Sequence, residues 1–158
     1  MPEMKSNRTT LFDEEKHATT KIDAHALEFD AHEQYLDQLY RQYNIEVNHA
    51  LLFYISDEEE PMIFVDKEEI NIGRGDEMGH IVPEFDLVPF GGREAGISRL
   101  HAQIMWDGEY YVIQDLHSTN NTWLNGNKLV PYQYYRIEDG ATLQFARIAL
   151  TAFVIKRK

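Results

Sequence analysis

From residue 49 onward the chain is written in short apolar runs with a period near two. Ala50-Leu-Leu-Phe-Tyr-Ile55, Pro61-Met-Ile-Phe-Val65 and Glu69-Ile-Asn-Ile72 are rich in β-branched and aromatic residues. So are Ala102-Gln-Ile-Met-Trp106, Tyr110 to Gln114, Thr142-Leu-Gln-Phe145 and Ile148 to Ile155. Asp107-Gly108, Asn125-Gly126 and Asp139-Gly140 separate runs with pairs suited to tight hairpins. Many short strands joined by tight turns predict an all-β antiparallel sandwich over 49–158. Such a fold gathers its loops at the ends of the sheets, so loops distant in sequence meet in one place.

The first 48 residues have a different pattern. They contain no glycine and, after Pro2, no proline. Leu36, Leu39, Tyr40 and Tyr43 recur at spacings of three and four, and Asp23 can cap a helix start. We expect a polar, disordered tail over 1–22 and one amphipathic helix within 23–48.

Composition narrows the function classes. The 158 residues carry a formal charge of −12. Residues 1–48 hold 5 basic and 10 acidic side chains, and residues 49–158 hold 10 and 17. Phosphate-backbone binding needs clustered Lys and Arg, so no nucleic-acid partner is expected. Any anion site is a local positive spot on an acidic body. No apolar run reaches the length of a membrane span, and residues 1–8 lack the apolar segment of a secretion signal. The chain has no cysteine. These features predict no membrane partner and a cytoplasmic location. The histidines lack metal-ligand spacing, so neither a metal nor a cofactor is expected.

Three loops carry the chemistry. Ile72-Gly73-Arg74-Gly75 follows a strand. Its glycines permit tight turning, and a guanidinium offers forked donors suited to phosphate. Gly96-Ile-Ser98-Arg99-Leu100-His101 precedes the strand at 102–106 and adds a hydroxyl and a second cation. The third loop, Ser118-Thr-Asn-Asn-Thr-Trp-Leu-Asn-Gly126, has six hydroxyl or carboxamide side chains in nine residues. It reads as a polar rim whose side chains donate without charge.

Gly73-Arg74, Ser98-x-x-His101 and Ser118 to Gly126, in that order before Glu138-Asp-Gly-Ala-Thr-Leu143, resemble the forkhead-associated (FHA) domain family. The resemblance covers about residues 49–158. It implies a sandwich of about eleven strands that recognises phosphothreonine in peptides. Carried over motif by motif, it makes Arg74 the holder of the phosphate. Ser98, Arg99 and Thr119 become further phosphate donors, and Asn120 the contact to the peptide backbone. Gly73, His101 and Asn121 become residues that shape the loops. The family's preference for phosphothreonine over phosphoserine rests on one methyl group, worth about 0.8 kcal/mol when buried. Two departures stand out. Asn121 occupies a position where the family commonly has glycine, and Arg74 lies 24 positions before Ser98, a long interval for this pair of loops.

The partner implied is a phosphothreonine-containing protein, such as a Ser/Thr kinase or its substrate. The chain would then be a signalling adaptor or regulator, not an enzyme. Ser98, His101 and Asp115 could be cast as a hydrolytic triad, but no glycine elbow frames the serine. A phospho-independent scaffold on the same fold is the alternative. Thr9-Thr10 and Thr19-Thr20 each precede an acid by three residues. Some bacterial FHA proteins carry a similar threonine pair in such a tail, so Thr10 and Thr20 are candidate phosphorylation sites for an autoinhibitory contact.

Overall fold

A computed structural model of the chain describes residues 10–12, 19–21, 34, 41–42, 47–55, 58 and 61–157. The chain divides into two compact units, residues 1–67 with 152–158, and residues 68–151. From His49 to Lys156 there are eleven strands, the number expected.

The first unit contains β1 (Thr10–Phe12), β2 (Thr19–Lys21), β3 (His49–Tyr54) and β4 (Met62–Val65). β3 and β4 pair antiparallel, with Leu51 opposite Phe64. Phe53 and Phe64 meet edge to face at 5.7 Å. Asp66 fixes the entrance to β3, because its Oδ1 accepts the N–H groups of Asn48 and His49, both at 2.9 Å. The amino-terminal segment differs from the expected tail at six residues. Thr10–Phe12 and Thr19–Lys21 pair with each other, and β2 pairs with β4. The rest of 1–22 lies outside the described residues. So does most of 23–48, where one helix is expected; of its described residues Gln34, Arg41 and Gln42 are helical, and Val47 and Asn48 are not.

The second unit holds the loops of interest. One sheet is built from β5 (Glu69–Gly73), β6 (Phe85–Asp86), β7 (Ala102–Trp106), β8 (Tyr111–Asp115) and β11 (Tyr135–Arg136). Its order is β11-β8-β7-β5-β6. The other joins β12 (Ala141–Phe145), β9 (Thr122–Leu124) and β10 (Asn127–Lys128), and the start of β13 (Ile148–Lys156) lies beside β12. The alternating residues of these strands form the core. Ile70 and Ile72, Ile104, Tyr111 and Ile113, and Leu143 and Phe145 are all buried. The turns form where expected. Asn125 and Gly126 both take positive φ, and Asn125 also accepts the Thr142 N–H at 2.9 Å.

One pairing departs from the antiparallel expectation. β5 and β6 run parallel, with Ile72 opposite Phe85. A parallel pair needs a crossover of about a dozen residues. The extra sequence between Arg74 and Ser98 supplies it. β6 is only two residues long, Phe85–Asp86. Asp86 caps the Val88 N–H at 2.9 Å, and Val88–Phe90 becomes a 3-10 turn.

Candidate functional site

Three loops of the second unit meet at one end of its sheets. The first two are joined by main-chain bonds. Arg74 N–H donates to the Ser98 carbonyl at 3.1 Å, and Gly75 N–H to the Arg99 carbonyl at 3.0 Å. Gly73 makes this approach possible, since a Cβ there would strike the Arg99 carbonyl and crowd that of Ser98.

The same contact aims the guanidinium. Arg74 Nε donates to the Ile97 carbonyl at 2.9 Å, while its terminal nitrogen reaches Gly75 O only at 3.5 Å. Half-buried Arg74 has no carboxylate partner among the described residues. Its terminal N–H groups therefore keep most of their donor capacity. Arg99 turns its carbonyl inward to Gly75 and leaves its side chain exposed.

His101 ties the second loop to the third. It is fully buried. Its Nδ1 accepts the Ser98 N–H at 3.1 Å, so that nitrogen carries no proton and the Nε2–H donates to the Asn121 carbonyl at 2.9 Å. Burial lowers the His101 pKa; the Asn121 carbonyl and the Asp115 charge oppose that shift. The Asn121 carbonyl also accepts the Ala146 N–H at 3.0 Å. Asn121 itself sits at φ +69°, the left-handed conformation that glycine would adopt freely.

The third loop is organised from below by Asp115, at the buried end of β8. One carboxylate oxygen accepts the hydroxyls of Ser118 at 2.5 Å and Thr122 at 2.7 Å. The other accepts the Ser118 N–H at 3.1 Å. The polar rim read from the sequence is therefore smaller than expected. Ser118 and Thr122 face inward, and Asn125 belongs to the hairpin turn. Thr119 and Asn120 stay exposed. Thr119 N–H donates to Ser98 Oγ at 3.1 Å, which leaves the serine hydroxyl proton to be given elsewhere. Asn120 Nδ2 donates to the Gly96 carbonyl at 2.9 Å.

The site thus joins Arg74, Ser98, Thr119 and Asn120 through direct bonds among their loops, with Arg99 at its edge. An FHA domain family model matches residues 70–146. Residues 70–146 are an FHA domain. The FraH protein of Nostoc is 27% identical over 107 residues, which cover 68% of this chain and 36% of that protein. The FHA domain-containing protein FhaA of Mycobacterium tuberculosis is 33% identical over 73 residues, covering 46% of this chain and 11% of that protein. The chain therefore spans only a minor part of these relatives. A solved Arabidopsis thaliana FHA domain aligns at a TM-score of 0.54 with 26% identity, covering 70% of this chain and 88% of that one. Another comes from an analysis of phosphothreonine-dependent FHA domain interactions. It aligns at 0.50 with 25% identity, covering 69% of this chain and 98% of that one.

Within the FHA domain, the geometry answers the triad considered above. Ser98 meets His101 through its backbone N–H and not its hydroxyl, and Asp115 is committed to Ser118 and Thr122. His101 is therefore not placed to take the serine proton. A groove of about 380 Å³ runs beside Asn120, walled by Gly96, Asn121, Trp123 and Arg147, with Glu94 at its rim. Sequence reading missed the anchoring role of Asp115. The signal was present: Tyr111, Ile113 and Asp115 share one face of β8, so an acid there had to be buried and hydrogen-bonded.

Proposed function

We propose that the FHA domain of this chain binds a phosphothreonine-bearing segment of a partner protein, and that the chain acts as a signalling adaptor or regulator. The observation that carries this is Arg74. A half-buried guanidinium, aimed by the Ile97 carbonyl and free of any acid among the described residues, lies on a loop bonded to that of Ser98. A phosphate dianion with three acceptor oxygens needs a cation and several preorganised donors. Arg74 supplies the cation, and the Ser98 hydroxyl, Thr119 and Arg99 supply further donors. Asn120 contacts the peptide backbone. Gly73, His101 and Asn121 hold the loops in register. The partner is a Ser/Thr kinase or its substrate, met in the cytoplasm.

Titration calorimetry with paired threonine and phosphothreonine peptides tests the reading. Arg74→Ala should weaken phosphopeptide binding by about 2–3 kcal/mol, as for a lost charged hydrogen bond. Equal binding of both peptides, or an unaltered Arg74→Ala protein, would point to a phospho-independent scaffold.

Thr10 and Thr20 are the candidates for an internal ligand. Both lie on strands, and Thr20 stands opposite Ile63 of β4. Phosphorylating the whole chain should shift the backbone resonances of 118–121 and weaken binding of an added peptide. Thr10→Ala/Thr20→Ala should abolish both effects. Unchanged resonances and binding in the phosphorylated protein would end the autoinhibition idea.

A further inference from the structure

Val130-Pro131-Tyr132-Gln133 forms a turn closed by the Gln133 N–H on the Val130 carbonyl at 3.3 Å. Proline stands second, and Tyr132 stands third at φ +65°. This is the pattern of a type II turn, whose third position belongs to glycine or asparagine because positive φ crowds a Cβ. A bulky aromatic residue there is an outlier. Core packing does not account for it, since Tyr132 is 62% exposed. Its ring lies 6.3 Å from that of His117, tilted by 54°. His117 also takes positive φ, at +57°. A strained, exposed aromatic side chain is a mark of a contact site.

The turn is rooted in the residue that roots the phosphate loop. Tyr132 N–H donates to the Asp115 carbonyl at 2.9 Å, while the Asp115 carboxylate holds Ser118 and Thr122. His117 immediately precedes Ser118. Tyr132 and the candidate phosphate donors are therefore parts of one bonded framework.

Charge indicates what Tyr132 would meet. Residues 68–151 hold 6 basic and 12 acidic side chains, and half of those cations are Arg74, Arg93 and Arg99, on or beside the first two loops. An anionic peptide is repelled elsewhere on such a body, whereas flanking cations favour its approach. An aromatic face attracts a cation, and tyrosine presents that face at small conformational cost. The domain already makes one such contact, with Arg136 lying 3.4 Å over the Tyr110 ring.

We propose that Tyr132, backed by His117, is a second contact site that receives a Lys or Arg side chain flanking the phosphothreonine of the partner. This rests on the phosphothreonine reading of the Arg74 site. The test uses the full chain and three sets of phosphothreonine peptides carrying lysine, norleucine or glutamate at each flanking position in turn. At one position the wild type should prefer lysine over norleucine by about two- to fivefold, the size of an exposed cation–π contact. Tyr132→Phe should keep that preference. Tyr132→Asn, which suits the left-handed backbone, should lose it while binding the norleucine peptide as the wild type does. Its thermal unfolding reports whether the fold is intact. A wild type without lysine preference, or a Tyr132→Asn protein that retains it, overturns this site alone, provided that Arg74→Ala still weakens binding of the phosphothreonine peptides. Binding that ignores Arg74→Ala overturns the phosphothreonine reading and this site with it.

Discussion

His101 Nε2 lies 2.9 Å from the Asn121 carbonyl, in a buried contact that holds the third loop against the second. With the Ser98 N–H on its other nitrogen, the imidazole is needed in its neutral form. Burial depresses its pKa in the folded state, whereas the unfolded chain takes up a proton near 6.5. Below that pH the unfolded state binds more protons, so stability falls as pH falls. The contribution should be complete above about pH 6.5 and decline as pH drops toward the folded-state value. Unfolding midpoints measured at pH 7.5, 6.5 and 5.5 should fall more steeply for the wild type than for His101→Asn. Equal slopes would remove His101 as the source.

Asp115 should be costly to lose although it touches no ligand. Asp115→Ala strands the Ser118 hydroxyl and N–H and the Thr122 hydroxyl in a buried place. We expect destabilisation of about 2–4 kcal/mol in urea unfolding, from unsatisfied donors that met a charge. Phosphopeptide affinity should fall with it, because Thr119 and Asn120 lose their footing. A variant with wild-type stability would contradict the anchoring role.

Gly73→Ala probes the seam between the first two loops. The added methyl would meet the Arg99 and Ser98 carbonyls, which are backbone and cannot swing aside. The two segments must separate, at a cost of about 1–3 kcal/mol typical of overpacking. Arg74 moves with them, so affinity for a phosphopeptide should drop as stability drops. Full affinity in a folded Gly73→Ala protein would show that the seam does not set the Arg74 position.

Much of this was legible in the chain, for physical reasons that differ by element. Seven of the eleven strands from β3 to β13 follow from period-two runs such as Ala141 to Phe145, where Ala141, Leu143 and Phe145 point inward, and from turn pairs such as Asn125-Gly126; β6, β9, β10 and β11, of two or three residues, are too short to show a period. The order of the three loops could be read because their residue types are unusual at those positions. What could not be read depends on tertiary placement. Local composition does not tell that Ser118 and Thr122 bond inward to Asp115 while Thr119 and Asn120 stay outside. The parallel pairing of β5 with β6 is invisible to a pattern that registers alternation but not direction. The pairing of Thr19–Lys21 with β4 arises in a polar segment whose local sequence asks for no partner.

Asn121 is where the backbone of the third loop can be tested most directly. At φ +69° it holds the left-handed conformation, and its carbonyl accepts both the His101 Nε2–H and the Ala146 N–H. Those bonds belong to the main chain, so Asn121→Gly should preserve them. Glycine relieves residual Cβ crowding but adds freedom to the unfolded chain, and the two effects nearly cancel. Stability and phosphopeptide affinity should therefore stay within about 0.5 kcal/mol of wild type. Asn121→Val forces a β-branched residue into the same conformation, at about 1–2 kcal/mol or more. It should also loosen the carbonyl that meets His101. Denaturant unfolding and peptide titration of both variants give the answer. If valine is tolerated as well as glycine, the left-handed geometry at 121 is not what holds the loop.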